Sequence, residues 1–248
     1  LKNKFKKAFI DIGIDSINLE KIFFKNNSKF KLIIIDDLLK YKHLDSSKII
    51  CQDVFHKINN DNIYTGLKYC LISPIKRQRI RKSIKRISIF LGGTDTLNIS
   101  KKLFDNLEKY AINNSILINF IITKNFKKFS YYKTKSKLID VYCDLNKLDF
   151  IIQQSDFMIT TPGMTALESI SNWCPVGLIK TNKDQDEIIN LLITKKCCLS
   201  IDSSLGSHTI DNFLKFKIPE KEKITKLSKE CSSLSISDVF KKISNLIF

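Results

Sequence analysis

The sequence holds no run of about 18 apolar residues, the length a helix needs to cross a bilayer, so no membrane span is expected. It has no Cys-x-x-Cys pair. Its seven cysteines, Cys51, Cys70, Cys143, Cys174, Cys197, Cys198 and Cys231, are odd in number and scattered. That usage fits a reducing, cytoplasmic setting in which thiols serve as small hydrophobes. Cys197 and Cys198 could form a redox pair, but a buried strand edge is the expectation. Histidine is scarce. His43, His56 and His208 lie far apart without metal-ligand spacing, so neither a metal nor another cofactor is expected. The first twenty residues, LKNKFKKAFIDIGIDSINLE, are basic, yet their apolar stretch is short and holds two aspartates. No small-residue cleavage site follows, so this stretch is not expected to be a secretory signal. There is no initiator Met, and the chain is expected to be a piece of a longer parent.

What is present is a globular composition. Hydrophobic residues make up 43% and charged residues 27%, and 248 residues suffice for one large domain or two small ones. Net charge is +17, from 42 Lys+Arg against 25 Asp+Glu. Nucleic acid and an anionic membrane surface both suit that balance. Lysine, asparagine and isoleucine, however, saturate the whole chain, strand-like runs included. No nucleic-acid-binding module is recognisable. The charge therefore reads as compositional bias with solvated lysines, and no nucleic-acid partner is expected. Peripheral contact with a membrane stays compatible with it.

Strand-like runs lie at 31–37, 47–53, 68–73, 86–93, 116–123, 137–143, 156–161 and 176–180. Helical periodicity separates several of them, at 100–111, 146–154, 164–171 and 186–196. Apolar strands without polar alternation, spaced by amphipathic helices, predict parallel sheets covered on both faces: an α/β protein with two Rossmann-type domains. The segment 76–86 carries Lys76, Arg77, Arg79, Arg81, Lys82, Lys85 and Arg86 after Pro74. It is expected to be a basic, solvated linker, with an anion-binding strip as its functional alternative. A partial first domain, 1–75, would precede it, and a second, 87–248, would follow. The terminal stretch SISDVFKKISNLIF predicts a last amphipathic helix capped by Ser235 or Ser237.

Two strand–loop–helix junctions are built alike. In IFLGGTDTLNISKKLF, Gly92 and Gly93 end a strand, Thr94 and Asp95 turn, and Asn98 can cap the next helix. In SDFMITTPGMTALESIS, Pro162 and Gly163 turn before a helix that starts near Thr165. Loops at the carboxyl ends of parallel strands are where open α/β sheets bind ligands. Free amides and the dipole at a helix start attract phosphate, and glycine allows its close approach. Thr165 and Glu168 also have the spacing of a capping box, with hydroxyl and carboxylate closing on each other's amides. The alternative is a carboxylate placed for the vicinal hydroxyls of a ribose.

In order and spacing, IFLGGTD and SDFMITTPGMTALESISNWCPVGLIKTNKDQ resemble the nucleotide-binding half of GT-B proteins. They are most similar to the UDP-2,4-diacetamido-2,4,6-trideoxy-β-L-altropyranose hydrolases of pseudaminic acid biosynthesis. Those are relatives of spore-coat polysaccharide proteins and of the lipid-II-forming N-acetylglucosaminyl transferase. LIIIDDLLKYKHLDSSKIICQD and TGLKYCLISP match earlier segments, so the resemblance covers about residues 30 to 190. It implies a UDP-sugar as partner. Gly92, Gly93 and Thr94 would line the cleft beside the diphosphate. Gly163, Met164 and Thr165 would donate to it, and Glu168 would hold the ribose. Asn182 and Gln185 would face the sugar, and the loop Val141–Asp144 would receive the uracil. The sequence departs from the family at Ser73, where Arg is usual, and at Leu167, where Trp is usual. It also lacks the family's Gly-x-Gly-His loop, whose His is expected to handle the proton. Asp36 and Asp37, ending a strand, are the remaining candidates for a base. The implied activity is release of UDP from a diacetamido sugar nucleotide. A GT-B glycosyltransferase and a non-catalytic nucleotide-sugar-binding module are the alternatives.

Overall fold

A computed structural model describes residues 7–11, 31–36, 47–51, 61–72, 78–93, 95, 97–126, 131–132, 136–205 and 208–234. The chain divides into two compact units, 1–73 with 235–248, and 74–234. The expected C-terminal helix lies outside the described residues.

The first unit contains a four-stranded, all-parallel sheet. Its strands β1 (Lys7–Asp11), β2 (Lys31–Ile35), β3 (Ser47–Cys51) and β4 (Ile63–Thr65) lie side by side in sequence order. Ile33, Ile34 and Ile35 and then Ile49, Ile50 and Cys51 are all buried, which is why these runs show no polar alternation. The strand expected at 68–73 is not one. Gly66, at φ 95°, ends β4 and turns the chain into a 3-10 turn, Leu67–Tyr69, so the strand sits five residues earlier. Cys70 and Ile72 are nevertheless buried.

The second unit is built on a six-stranded parallel sheet. Its strands are β5 (Arg86–Phe90), β6 (Leu117–Ile122), β7 (Ile139–Cys143), β8 (Phe157–Thr160), β9 (Val176–Ile179) and β10 (Cys198–Asp202). They run in the spatial order β10-β9-β8-β5-β6-β7. Counted from β5, that is the 3-2-1-4-5-6 order of a doubly wound nucleotide-binding sheet, with the switch point between β5 and β8. Strand β10 and the last two helices were not anticipated, although Cys197 and Cys198 are buried beside and within β10 as expected.

Among the described residues six α-helices accompany the sheet: α1 (Ile99–Asn114), α2 (Asp149–Gln154), α3 (Met164–Ser171), α4 (Asp186–Thr194), α5 (Thr209–Lys215) and α6 (Lys221–Ser233). Helix α1 shows why the pattern works. Ile99, Leu103, Leu107, Tyr110 and Ala111 fall on one stripe and are buried, while Lys101, Lys102, Glu108 and Lys109 are exposed. It stops at Ser115, which turns left-handed at φ 52° and closes the end with its amide. One face of the sheet, with Ile87, Ile89, Ile118, Phe120 and Phe157, joins α1 and Phe213 of α5 in a single apolar core. The other face carries a polar stack. Asn119 donates to Ser88 Oγ at 2.9 Å, Ser88 and Ser155 hydroxyls meet at 2.5 Å, and Arg86 bridges Asn119 Oδ1 and Asp140.

The basic segment before β5 is anchored at Arg81 rather than solvated throughout its described part. Arg81 is 1% exposed. Its guanidinium donates to the carbonyls of Arg79, Ile152, Ser155 and Asn172 at 2.5–3.1 Å, tying the carboxyl ends of α2 and α3 together. Arg79 pairs with Asp156 at 2.7 Å, and Gln78 donates to Ser171 O at 2.6 Å. Helix ends expose carbonyls that want donors, and this segment supplies them. Lys82 and Lys85 are exposed, and Lys76 and Arg77 lie outside the described residues.

Candidate functional site

The two glycine junctions open on the same edge of the same sheet. Strands β5 and β8 are adjacent and parallel, with Phe90 opposite Thr160, so both loops leave the carboxyl edge at the switch point. Gly92 is left-handed at φ 89°, and a Cβ there would stand 3.8 Å from Thr161 Oγ1 in the neighbouring loop. A Cβ at Gly93 or Gly163 would meet nothing within 4 Å. The space beside both is open. From the β6 side, Thr123 Oγ1 donates to Gly93 O at 2.7 Å and fixes that peptide. Thr94 lies outside the described residues.

The helix starts differ from expectation. Asn98 flanks α1 in a left-handed conformation and makes no side-chain cap. Asp95 does that work: its carboxylate accepts from Ile99 N at 3.0 Å and Ser100 N at 3.1 Å. The free amides of α1 are thus already taken by a carboxylate. Helix α3 is the opposite case. It begins at Met164, with Gly163 as the flanking residue and no side-chain cap. Thr165 therefore lies inside the helix, not before it, and the capping box does not form. Among the described residues the Thr165 hydroxyl has no partner, and its carbonyl accepts from Ser169 Oγ. The amides of the first turn of α3 stay open at the carboxyl edge of the sheet.

Glu168 is half-buried, and among the described residues its carboxylate has no hydrogen-bond or ion-pair partner. Burial raises its pKa above the usual 4.5, and the charge of Asp149 at the start of α2 raises it further. The sign follows. The folded carboxyl keeps its proton in a window above 4.5 where the unfolded one has lost it, so stability falls as pH rises through that window. Glu168→Gln should therefore gain stability relative to the parent between pH 4 and 7 in urea melts. A variant that loses ground instead would mean that the carboxylate has a stabilising protein contact.

Gln185 was expected to face a sugar. Its side chain is instead spent on backbone. Oε1 accepts from Thr181 N at 2.8 Å and Asn182 N at 3.1 Å, and Nε2 donates to Pro162 O at 3.2 Å. It fastens the loop after β9 to the loop after β8. Asn182 is exposed. Lys180, buried at the end of β9, pairs with Asp186 at 2.5 Å. On the far side, Asp144 ends β7 at φ 48°, accepts from Lys124 N at 2.7 Å and pairs with Lys124 Nζ. Val141, Tyr142 and Cys143 belong to β7 itself. Asp36 ends β2 in the first unit, 2% exposed, with its amide on Ile50 O, and Asp37 lies outside the described residues. The structure thus brings Gly92, Gly93, Gly163, Met164, Thr165 and Glu168 to one edge of one sheet. The capping role of Asp95 and the places of Thr123 and Thr161 on this edge were not read from the sequence. An Asp four residues before the first helical residue was the available signal for the first of them.

No family model matches the chain. The curated protein "Uncharacterized protein MJ1062" of Methanocaldococcus jannaschii is 25% identical over 197 residues, covering 70% of this chain and 41% of that protein. Among solved structures, the S. aureus MnaA–UDP co-structure aligns with a TM-score of 0.64 at 11% identity, over 98% of this chain and 73% of that one. Acinetobacter baumannii MurG aligns with a TM-score of 0.61 at 10% identity, over 88% and 66%. S. aureus TarM, solved with UDP, aligns with a TM-score of 0.58 at 11% identity, over 92% and 53%. The chain thus spans less than half of the archaeal protein and about two thirds of MurG. With two parallel-sheet units and these neighbours, the chain has the GT-B glycosyltransferase-like fold.

Proposed function

We propose that this protein is a GT-B glycosyltransferase that uses a UDP-sugar donor, and that unit 74–234 seats the nucleotide. The diphosphate lies across the loops after β5 and β8. Gly92 and Gly93 admit it, and the open amides of Gly163, Met164 and Thr165 donate to it. Glu168 accepts from the two ribose hydroxyls, the Val141–Asp144 segment receives the uracil, and Asn182 lies toward the sugar. Gln185 acts by holding the two loops together. What carries the proposal is the adjacency of β5 and β8, which sets an uncapped helix start beside a glycine loop with open space at both. When the sugar–phosphate bond breaks, negative charge accumulates on the departing diphosphate, and the α3 N-terminus stabilises it there.

The ordered motifs shared with the pseudaminic-pathway hydrolases favour a second reading, in which water replaces the acceptor hydroxyl. Either chemistry needs a base beyond the groups that seat the diphosphate. Calorimetric titration with UDP tests the seat, and the absence of binding overturns it. Incubation with UDP-sugars then separates the activities: UDP released only with an acceptor supports transfer, and release in its absence supports hydrolysis.

The two glycines give a sharper check. Gly163 is extended at φ 168°, so Gly163→Ala introduces no backbone strain and should change stability by less than about 0.5 kcal/mol. Its methyl enters the space assigned to the diphosphate, so UDP affinity should fall about tenfold, equivalent to ~1.4 kcal/mol. Gly92→Ala forces a side chain onto φ 89° and should destabilise the fold by about 1 kcal/mol even without nucleotide. Thermal melts and UDP titrations of both variants should show this crossed pattern.

A further inference from the structure

A cavity of about 710 Å³ opens between α1 and the chain leaving α5. It lies along 106–114, the half of α1 that leads into the amino end of β6, on the side of the sheet away from the glycine loops. Its wall is fixed. Tyr110 is buried, packs on Phe213 with tilted rings whose centroids are 4.6 Å apart, and donates its hydroxyl to Phe216 O at 3.0 Å. Lys109, Lys215 and Lys217 line the cavity with Asn113, and no carboxylate lines it. Among the described residues none of these three lysines has an ion-pair partner. Leu214, Phe216 and Ile218 add an apolar wall.

Lysines often only neutralise the carbonyl end of a helix. That accounts for Lys215, in the last turn of α5, but not for Lys109 in mid-α1 or for Lys217 beyond α5. We propose that this cavity is a second binding site, distinct from the nucleotide seat, for a phosphate-bearing ligand with an apolar body. Three lysines lining one cavity without an acid suit a phosphate dianion, for which lysine acts as a point charge. The volume is that of a small-molecule site, and the apolar wall suits carbon attached to the phosphate. The phosphate could belong to a soluble ester or to a lipid headgroup.

The test uses the full chain saturated with UDP, the triple variant Lys109→Gln, Lys215→Gln, Lys217→Gln, and a control of equal charge change, Lys137→Gln, Lys195→Gln, Lys196→Gln. The probes are glycerol 3-phosphate by calorimetry and sedimenting vesicles, either phosphatidylglycerol mixed with phosphatidylcholine or phosphatidylcholine alone. The triple variant should bind at least one phosphate probe tenfold or more weakly, with the parent melting temperature and UDP affinity. The control should bind like the parent. A response to glycerol 3-phosphate assigns a soluble ester, and a response to phosphatidylglycerol vesicles alone assigns a headgroup. Absence of binding to both probes overturns the site. So does an equal loss in the control, which would reduce the effect to the net charge of +17.

Discussion

Arg81→Met should cost the second unit roughly 3–5 kcal/mol, the range seen when one partner of a buried charged network is removed. Four carbonyls lose their donor, and two of those mark the end of α2 and one the end of α3. A buried carbonyl left unpaired costs about 1–3 kcal/mol, so even partial rescue by water leaves a large loss. For a unit of this size that corresponds to a melting temperature lower by about 10 °C. Arg81→Lys should recover little, because a single ammonium cannot span carbonyls set apart by a planar fork. Its burial lowers the Arg81 pKa, but the group stays charged at any working pH. A melting temperature within two or three degrees of the parent would show that these carbonyls find other partners.

Glu168→Ala is expected to weaken UDP binding about 30- to 150-fold while leaving the apo protein at least as stable. Two hydrogen bonds from ribose hydroxyls to a carboxylate carry about 2–3 kcal/mol at this depth. Normally a half-buried carboxylate without a partner is a liability. Glu168 has no capping duty to offset that, since α3 starts one residue before Thr165. Uridine and UDP should lose affinity alike, and 2′-deoxyuridine diphosphate should bind the variant nearly as well as UDP does. If the variant binds UDP like the parent, Glu168 does not touch the ribose, and the nucleotide is placed wrongly.

The sequence made the sheet of the second unit legible because its central strands are buried on both faces. Runs such as Phe157–Thr160 and Val176–Ile179 have no polar alternation to blur them. The order of the junctions was legible too, since glycine at the end of an apolar run is a local signal. What escaped was set by tertiary partners. Whether Asn98 or Asp95 caps α1 depends on a left-handed turn at both residues. Whether Arg81 is solvated depends on carbonyls 71 to 91 positions away. Whether Gln185 meets a sugar or Pro162 O depends on how close two loops run. Helix α6 was hidden by composition, because lysines at 221, 223, 226 and 229 leave little contrast between faces, and α5, at seven residues, is too short to show a period. The strand expected at 68–73 failed for one local reason, the left-handed Gly66.

Gln185 ties three backbone groups of two different loops to one planar amide. Those loops cannot then rearrange separately. A visitor that shifts Pro162 drags the peptide at Asn182 with it, and a change near the start of α4 is felt across the strand gap at Gly163. The loops after β8 and β9 thus behave as one mechanical part.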